Sequence, residues 1–488
     1  MTTENRSKSV SPFLLLCVFT SVLSPFQFGY HAGVINQPRE AMHTAIPMDD
    51  WQWGFFVSAF LLGGTIGGLT GGHLSSAFGR RRSMVYGNIL FALGTLSISF
   101  AQTVLALYAG RVLAGVASGW ATAIVPIYIN EISPKAQKGI LGSMNQLGIV
   151  LGILVSVLVG LGLATIDGWR YMFGLALLPC VLQWVLLPMC VESPAWLASR
   201  RLSRDSREAL ERLYGVSRTS TDDDSTTSLN QRRQSDESIE VGGDQDFYDD
   251  EDANAQSPDS LLAPPLTSTT SSSQLHSPPS MSFIQMVTAP ELRRPLLCAV
   301  GIHVTQQFSG INAAMFYSTT IFIQNYKRET AIYLTVLISV VNTIMTLLST
   351  ALIDKLGRRP LLLVSELGMG LCSVGIFAAA SVEGVNPAAI VALLMAFVGM
   401  FAVGLGGIPW IILPELIPSH ALSLAASLGT GVNWGCAFLL AFIFPAAVDA
   451  LGYSVFLVFA TFLALAFTLT YTFIPETSRG RATHSVRL

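Results

Sequence analysis

Twelve apolar stretches follow one another along the chain, near residues 12–34, 53–78, 83–102, 105–130, 139–163, 169–190, 293–323, 331–353, 360–381, 388–413, 421–445 and 452–474. A helix needs roughly 20 apolar residues to cross the hydrocarbon core of a bilayer, so each stretch predicts one spanning helix. None alternates apolar and polar residues from end to end, which argues against a membrane barrel. The first stretch lacks a small-residue cleavage site and more spans follow it. It therefore reads as a retained helix rather than a signal peptide.

Polar interruptions carry the next layer of information. Residues 306–312 read Gln-Gln-Phe-Ser-Gly-Ile-Asn inside the seventh stretch. The side-chain amides of Gln306, Gln307 and Asn312 are costly in hydrocarbon, so they should face protein or a wet cavity. Ser309 and Gly310 lie between them, where a helix can loosen. A ligand with several hydroxyls suits such amides; glue between helices is the competing use. Gln27, His31 and Asn36 add polar groups near the end of the first stretch. The second stretch has glycines at 63, 67 and 71 and again at 64, 68 and 72. A spacing of four puts each set on one helix face, where another backbone can come close. A phosphate-binding loop does not fit, because the flanks are apolar and no strand precedes it.

The pattern repeats itself. Gly79-Arg80-Arg81 is echoed by Gly357-Arg358-Arg359, Glu131 with Pro134 by Glu415 with Pro418, and Glu192-Ser193 by Glu476-Thr477. The offsets are 278 residues for the first pair and 284 for the other two. Matches in the same order at nearly one offset imply two homologous six-helix repeats, with a substrate site between them near the midplane. The implied division is residues 1–190 for the first half, 191–292 for a connecting segment, 293–475 for the second half and 476–488 for a tail.

Composition agrees. The chain is 51% hydrophobic and only 12% charged, against about 25% charged in soluble domains. Of the 28 Lys and Arg residues, 23 fall on one side of the predicted spans, the side that also receives both ends. By the positive-inside rule that side is cytosolic. Residues 195–215 predict one or two short amphipathic helices. Residues 216–280, rich in Ser, Thr, Asp and Pro, bury too little to order themselves and read as a disordered acidic insert. Ser235 and Ser238 are candidate phosphorylation sites there, and kinases or sorting factors are its candidate partners, with a plain solvated linker favoured over them. The position four before Leu261 is Ser257 rather than an acid, so a dileucine sorting signal fits poorly. The six cysteines lie in or beside apolar stretches without CxxC spacing and read as packing residues. No nucleophile–base set, P-loop or metal-spaced His/Cys cluster is visible, which argues against an enzyme.

Taken together, Phe28-Gly29-Tyr30, Gly110-Arg111, Glu131-Ile132-Ser133-Pro134, Asn145-Gln146, the 306–312 run, Asp354 through Arg359, Ile408-Pro409-Trp410 and Pro475-Glu476-Thr477 resemble the sugar porter family of the major facilitator superfamily. Its facilitative glucose-transporter branch is the nearest likeness. The resemblance covers both membrane halves and leaves out the insert. It implies an all-α membrane protein of twelve transmembrane helices in two six-helix repeats, both termini cytosolic. It further implies sugar contacts from Gln146, Gln306, Gln307, Asn312, Asn342, Trp410 and Asn433. His31, Arg111, Glu131, Asp354, Arg358, Arg359 and Glu415 would serve gating or coupling. The chemistry is consistent: amides give directional hydrogen bonds, and an indole stacks on the apolar face of a pyranose.

Four positions depart from that pattern: Ser76-Ala77 where an Asx-Arg pair is usual, Ala402 for an acid, His420 where arginine is usual, and His31 where proton-coupled relatives place aspartate. The first three remove partners from the cytosolic charge clusters. Phe308 stands where leucine is common, which bears on sugar preference. The expectation is a hexose transporter working by alternating access, without cofactor or metal, and a uniporter. Proton coupling through His31 is the alternative within the class, and a sugar sensor signalling through its cytosolic segment the alternative outside it. Plasma membrane and vacuolar or endosomal membrane both fit.

Overall fold

The computed structural model describes residues 11–134, 137–214, 281–316, 322, 326–382 and 384–477. The acidic insert, with Ser235, Ser238 and Leu261, and the last eleven residues lie outside the described residues, as do the expectations placed on them.

The first set of helices is α1 Pro12–Gly33, α2 Arg39–Ala45, α3 Asp50–Phe78, α4 Arg80–Ser99, α5 Val104–Ile132, α6 Lys138–Leu163, α7 Trp169–Gly174 and α8 Leu177–Leu186. The connecting segment forms α9 Pro194–Ser199 and α10 Ser203–Tyr214. The second set is α11 Phe283–Thr288, α12 Pro290–Phe308, α13 Ile311–Phe316, α14 Arg328–Leu356, α15 Arg358–Ser381, α16 Pro387–Val403, α17 Ile408–Leu416, α18 Ser419–Leu451 and α19 Val455–Phe473. Large apolar side chains such as Phe19, Val185, Leu371 and Phe442 are exposed on the outside. A lipid solvent accounts for that belt.

Among the described residues, ten helices are long and apolar enough to cross a membrane. Two of the expected spans fall short for physical reasons. Helix α4 starts with Arg80, Arg81 and Arg82, which lower the apolar content of its 20 residues. The seventh span is broken: α12 ends at Phe308, and Gly310 takes φ +90° before α13 begins. Only glycine adopts that conformation cheaply, and Ser309-Gly310 is where loosening was expected. The tenth span is also interrupted, over residues 404–407. There Leu405 N–H is taken up by Ser365 Oγ at 3.1 Å, and Pro409 sits in the first turn of α17, where its missing N–H costs nothing.

The echoed motifs take the same geometry. Gly79 and Gly357 end α3 and α14 with φ +92° and +95°. Glu192 then accepts from the N–H groups of Arg80 (2.8 Å) and Arg81 (3.1 Å) at the start of α4. Glu476 does the same for Arg358 (3.0 Å) and Arg359 (3.1 Å) at the start of α15. A carboxylate there meets both the unsatisfied donors and the positive end of the helix dipole. A Cβ on Gly79 or Gly357 would lie 2.5 Å from that carboxylate.

The two glycine sets of α3 serve different neighbours. At Gly63 and Gly67 an added Cβ would meet the carbonyl oxygens of Val112 and Val116 on α5, at 2.3 and 2.2 Å. At Gly64, Gly68 and Gly72 it would meet Trp434, Gly431 and Ser423 on α18. One face closes the first set on itself, and the next joins it to the second set. A further seam runs between α6 and α14, where Asp354 Oδ2 accepts from Ile140 N–H at 3.2 Å.

Candidate functional site

All seven side chains expected to contact sugar line one cavity between the two sets of helices: Gln146 from α6, Gln306 and Gln307 from α12, Asn312 from α13, Asn342 from α14, Trp410 from α17 and Asn433 from α18. The breaks in the seventh and tenth spans explain part of this convergence. Gln307 and Asn312 are five residues apart across the kink at Gly310, and Asn312 Nδ2 donates to Gln307 Oε1 at 2.5 Å.

The amides form a connected network. Gln307 Nε2 donates to Asn433 Oδ1 at 2.9 Å, and Asn433 Nδ2 donates to Gln306 Oε1 at 2.7 Å. Gln306 Nε2 donates to the carbonyls of Leu405 (2.7 Å) and Gly406 (3.0 Å), freed where the tenth span is interrupted. The competing uses of these amides, glue and ligand binding, are thus compatible here. Gln306 is committed to holding the broken backbone. Gln307, Asn312 and Asn433 retain donors or lone pairs that face the cavity. Among the described residues Gln146 makes no side-chain hydrogen bond, and Asn342 Oδ1 is buried without a partner. Buried amide groups of that kind favour a polar ligand over an empty hydrocarbon pocket.

The rest of the wall is apolar and aromatic. Phe28, Phe60 and Trp434 meet at one side, with Phe28 and Trp434 ring centroids 4.8 Å apart. Trp434 Nε1 donates to Thr122 Oγ1 at 3.0 Å, a hydrogen bond between the two helix sets. Trp410 is backed by His303 at 4.7 Å, edge to face. The same histidine touches Asn433 through its ring (3.4 Å) and its carbonyl (3.3 Å). Sequence reasoning missed His303 and Trp434. His303 lies one helical turn before Gln306 and Gln307, so helical spacing could have found it.

His31 and Arg111 lie elsewhere. The His31 ring faces away from the cavity, with Nε2 3.2 Å from Thr95 Oγ1 and its plane stacked on Phe91 at 5.7 Å. Arg111 bonds the His31 carbonyl through Nη1 (2.7 Å) and the Phe56 carbonyl through Nε (3.3 Å). Its guanidinium sits over the Phe60 ring at 4.3 Å. Carbonyls and ring faces thus surround this buried cation, and among the described residues no carboxylate is bonded to it.

The other gating candidates gather at the arginine-rich face. Arg80 grips Glu131 with two bonds of 2.8 Å and lies 3.4 Å from Ser423 Oγ of the second set. Arg358 bonds Glu415 (2.9 Å) and Asp354 (3.1 Å). Arg359 bonds the Tyr471 carbonyl and lies over that ring. The positions that lack the usual partners are filled differently: the Ser76 carbonyl accepts from Trp196 Nε1 (3.0 Å) and Arg200 Nη2 (2.6 Å). Ala402 is buried. At the opposite face Arg328 pairs with Glu40 across the two sets.

Comparison with known proteins gives the same direction. The model of the family "Sugar (and other) transporter" matches residues 16–245 and 251–484. The chain is 33% identical over 502 residues to the rat solute carrier family 2 facilitated glucose transporter member 3, covering 97% of this chain and 92% of that one. To the mouse member 4 it is 34% identical, covering 98% and 91%. Among solved structures, the major facilitator superfamily proton:xylose symporter XylE bound to 6-bromo-6-deoxy-D-glucose superimposes with a TM-score of 0.76 at 22% identity, over 96% of this chain and 98% of that one. A partially occluded inward open form of XylE from E. coli gives 0.69 at 23% identity, over 96% and 99%. The chain therefore has the major facilitator fold.

Proposed function

Because this chain belongs to the sugar transporter family, we propose that it carries a hexose such as glucose across its membrane by alternating access, as a uniporter. That it is a multi-pass membrane transporter of sugar and not an enzyme follows from the family. The hexose is our reading. The observation that carries it is a cavity in which seven amide side chains from both helix sets, Asn36 among them, face two indoles and several phenyl rings. A pyranose presents hydroxyls around its rim and C–H groups on its faces, and this wall offers a partner to each.

In this reading Gln146, Gln307, Asn312, Asn342 and Asn433 bond the hydroxyls, Gln306 holds the broken tenth span, and Trp410 stacks on the ring. All twelve predicted stretches cross the membrane, and the arginine-rich face is cytosolic. Glu131, Asp354, Arg358, Arg359 and Glu415 join the cytosolic ends when the cavity opens outward. Facilitated glucose transport, as the names of the rat and mouse relatives print it, supports the hexose and the uniport. The xylose symporter shares the fold only.

Uniport is supported by the surroundings of His31. A proton carrier must sense both the pathway and the gate, and this ring is packed against Thr95 and Phe91 away from the cavity. The test is an imposed pH gradient across proteoliposomes holding the purified protein. Sugar is expected to equilibrate without accumulating. Accumulation that disappears in His31→Asn would make His31 the proton site and the protein a symporter.

A further inference from the structure

A groove of about 650 Å³ runs down the outside of the second helix set, between α12 and α19. Along α12 it is lined by Arg293, Leu297, Gly301 and Thr305, each four residues after the last and so on one helix face. Leu469, Thr470 and Phe473 of α19 form the other wall. Arg293 and Arg294 are exposed at its mouth, and among the described residues neither has an acidic partner. Twelve residues of helix from Arg293 to Thr305 cover roughly 18 Å, close to the depth of one leaflet's hydrocarbon, half of about 30 Å. The middle of the groove is open: a Cβ added to Gly301 meets nothing within 4 Å. Leu297 and Phe473 are exposed beside it.

We propose that this groove holds one anionic phospholipid, its phosphate on Arg293 and Arg294 and an acyl chain laid over Gly301 between Leu297 and Phe473. A zwitterionic lipid would gain the apolar contact and bring a phosphate, but its own ammonium offsets that charge, whereas an anionic headgroup keeps a net negative charge for the two guanidinium groups. Guanidinium donors match phosphate oxygens in pairs, and basic pockets between spanning helices are suited to anionic headgroups. The lipid belongs to the leaflet that meets the arginine-rich ends of the helices. The site is separate from the sugar cavity, which α12 lines with Gln306 and Gln307.

The test is native mass spectrometry of the full chain released from micelles doped with phosphatidylserine or phosphatidylcholine. One phosphatidylserine is expected to stay bound where phosphatidylcholine is lost. Arg293→Gln with Arg294→Gln is expected to weaken retention about thirtyfold, from the ordinary contribution of two cationic side chains at an anionic surface. Gly301→Trp leaves the charges alone and fills the groove, and it too is expected to release the lipid. Equal retention of the two lipids by the natural chain would reduce the groove to ordinary lipid contact. Undiminished phosphatidylserine in both variants would overturn the site. Binding that develops only after residues 216–280 are removed would assign the groove to that acidic segment instead.

Discussion

Gly72→Val will hold the arginine-rich face of the protein open. Its Cβ would lie 1.9 Å from the Ser423 carbonyl oxygen and 2.3 Å from Ser427 Oγ, both on α18 of the opposite helix set. In the natural chain Gly72 N–H donates to that Ser427 hydroxyl at 2.7 Å, so the two helices touch through backbone. Overpacking of this kind costs about 1–3 kcal/mol. Because it arises only where α3 and α18 meet, it falls on the state with that face closed. The closed-to-open ratio should drop by about five- to 150-fold. Spin labels at Ala77 and His420, on the two sides of the seam, read the change as a wider distance distribution. Sugar exchange should slow in parallel. Gly67→Val, whose Cβ would meet the Val116 carbonyl within the first set, should instead lower the yield of folded protein. An unchanged distance distribution in Gly72→Val would show that the α3–α18 seam is not a moving contact.

The second large effect is on stability. Arg80 and Glu131 have side chains only 7% and 9% exposed and are joined by two bonds of 2.8 Å. Removing one partner strands the other as a buried charge, at a cost of about 3–5 kcal/mol. Arg80→Met and Glu131→Leu should each lower the thermal unfolding midpoint of the detergent-solubilised protein markedly. Combining them should restore most of the loss, because no charge is then left alone. A double variant as unstable as the sum of the singles would show that the pair contributes only through independent packing. The matching pair of Arg358 and Glu415 shares its arginine with Asp354, so Glu415→Leu should cost less.

Much of this architecture was legible because membrane helices announce themselves by apolar length. The breaks at Gly310 and at residues 404–407 were also legible, since each places glycine or proline where a helix cannot continue unstrained. So was the double role of the α3 glycines, at least as two faces. The sequence could not say which face met which neighbour. That depended on α5 and α18 lying on either side, hundreds of residues apart in one case. The cavity residues were recognisable as amides needing partners, but their mutual bonds were not. Asn433 reaches Gln306 and Gln307 only because α18 crosses α12, and nothing local to Asn433 encodes that. The short helix α2, polar and outside the apolar stretches, gave no periodic signal of its own. The interruption of the sixth span at Leu175 and Ala176 was legible too, since Pro179 has no N–H for the Leu175 carbonyl four residues before it.

If this protein works as proposed, the amide cavity binds the sugar that is carried. The direct measurement is exchange of labelled glucose by the purified protein in liposomes, paired with equilibrium binding, for the natural chain, Gln307→Ala and Asn312→Ala. Each amide lost from a neutral hydroxyl is expected to cost roughly 0.5–1.5 kcal/mol, up to tenfold in affinity. Saturable exchange is expected in the natural chain, with weaker binding in both folded variants. Saturable exchange with glucose affinity unchanged in both variants would contradict the proposal and leave these amides as glue between helices.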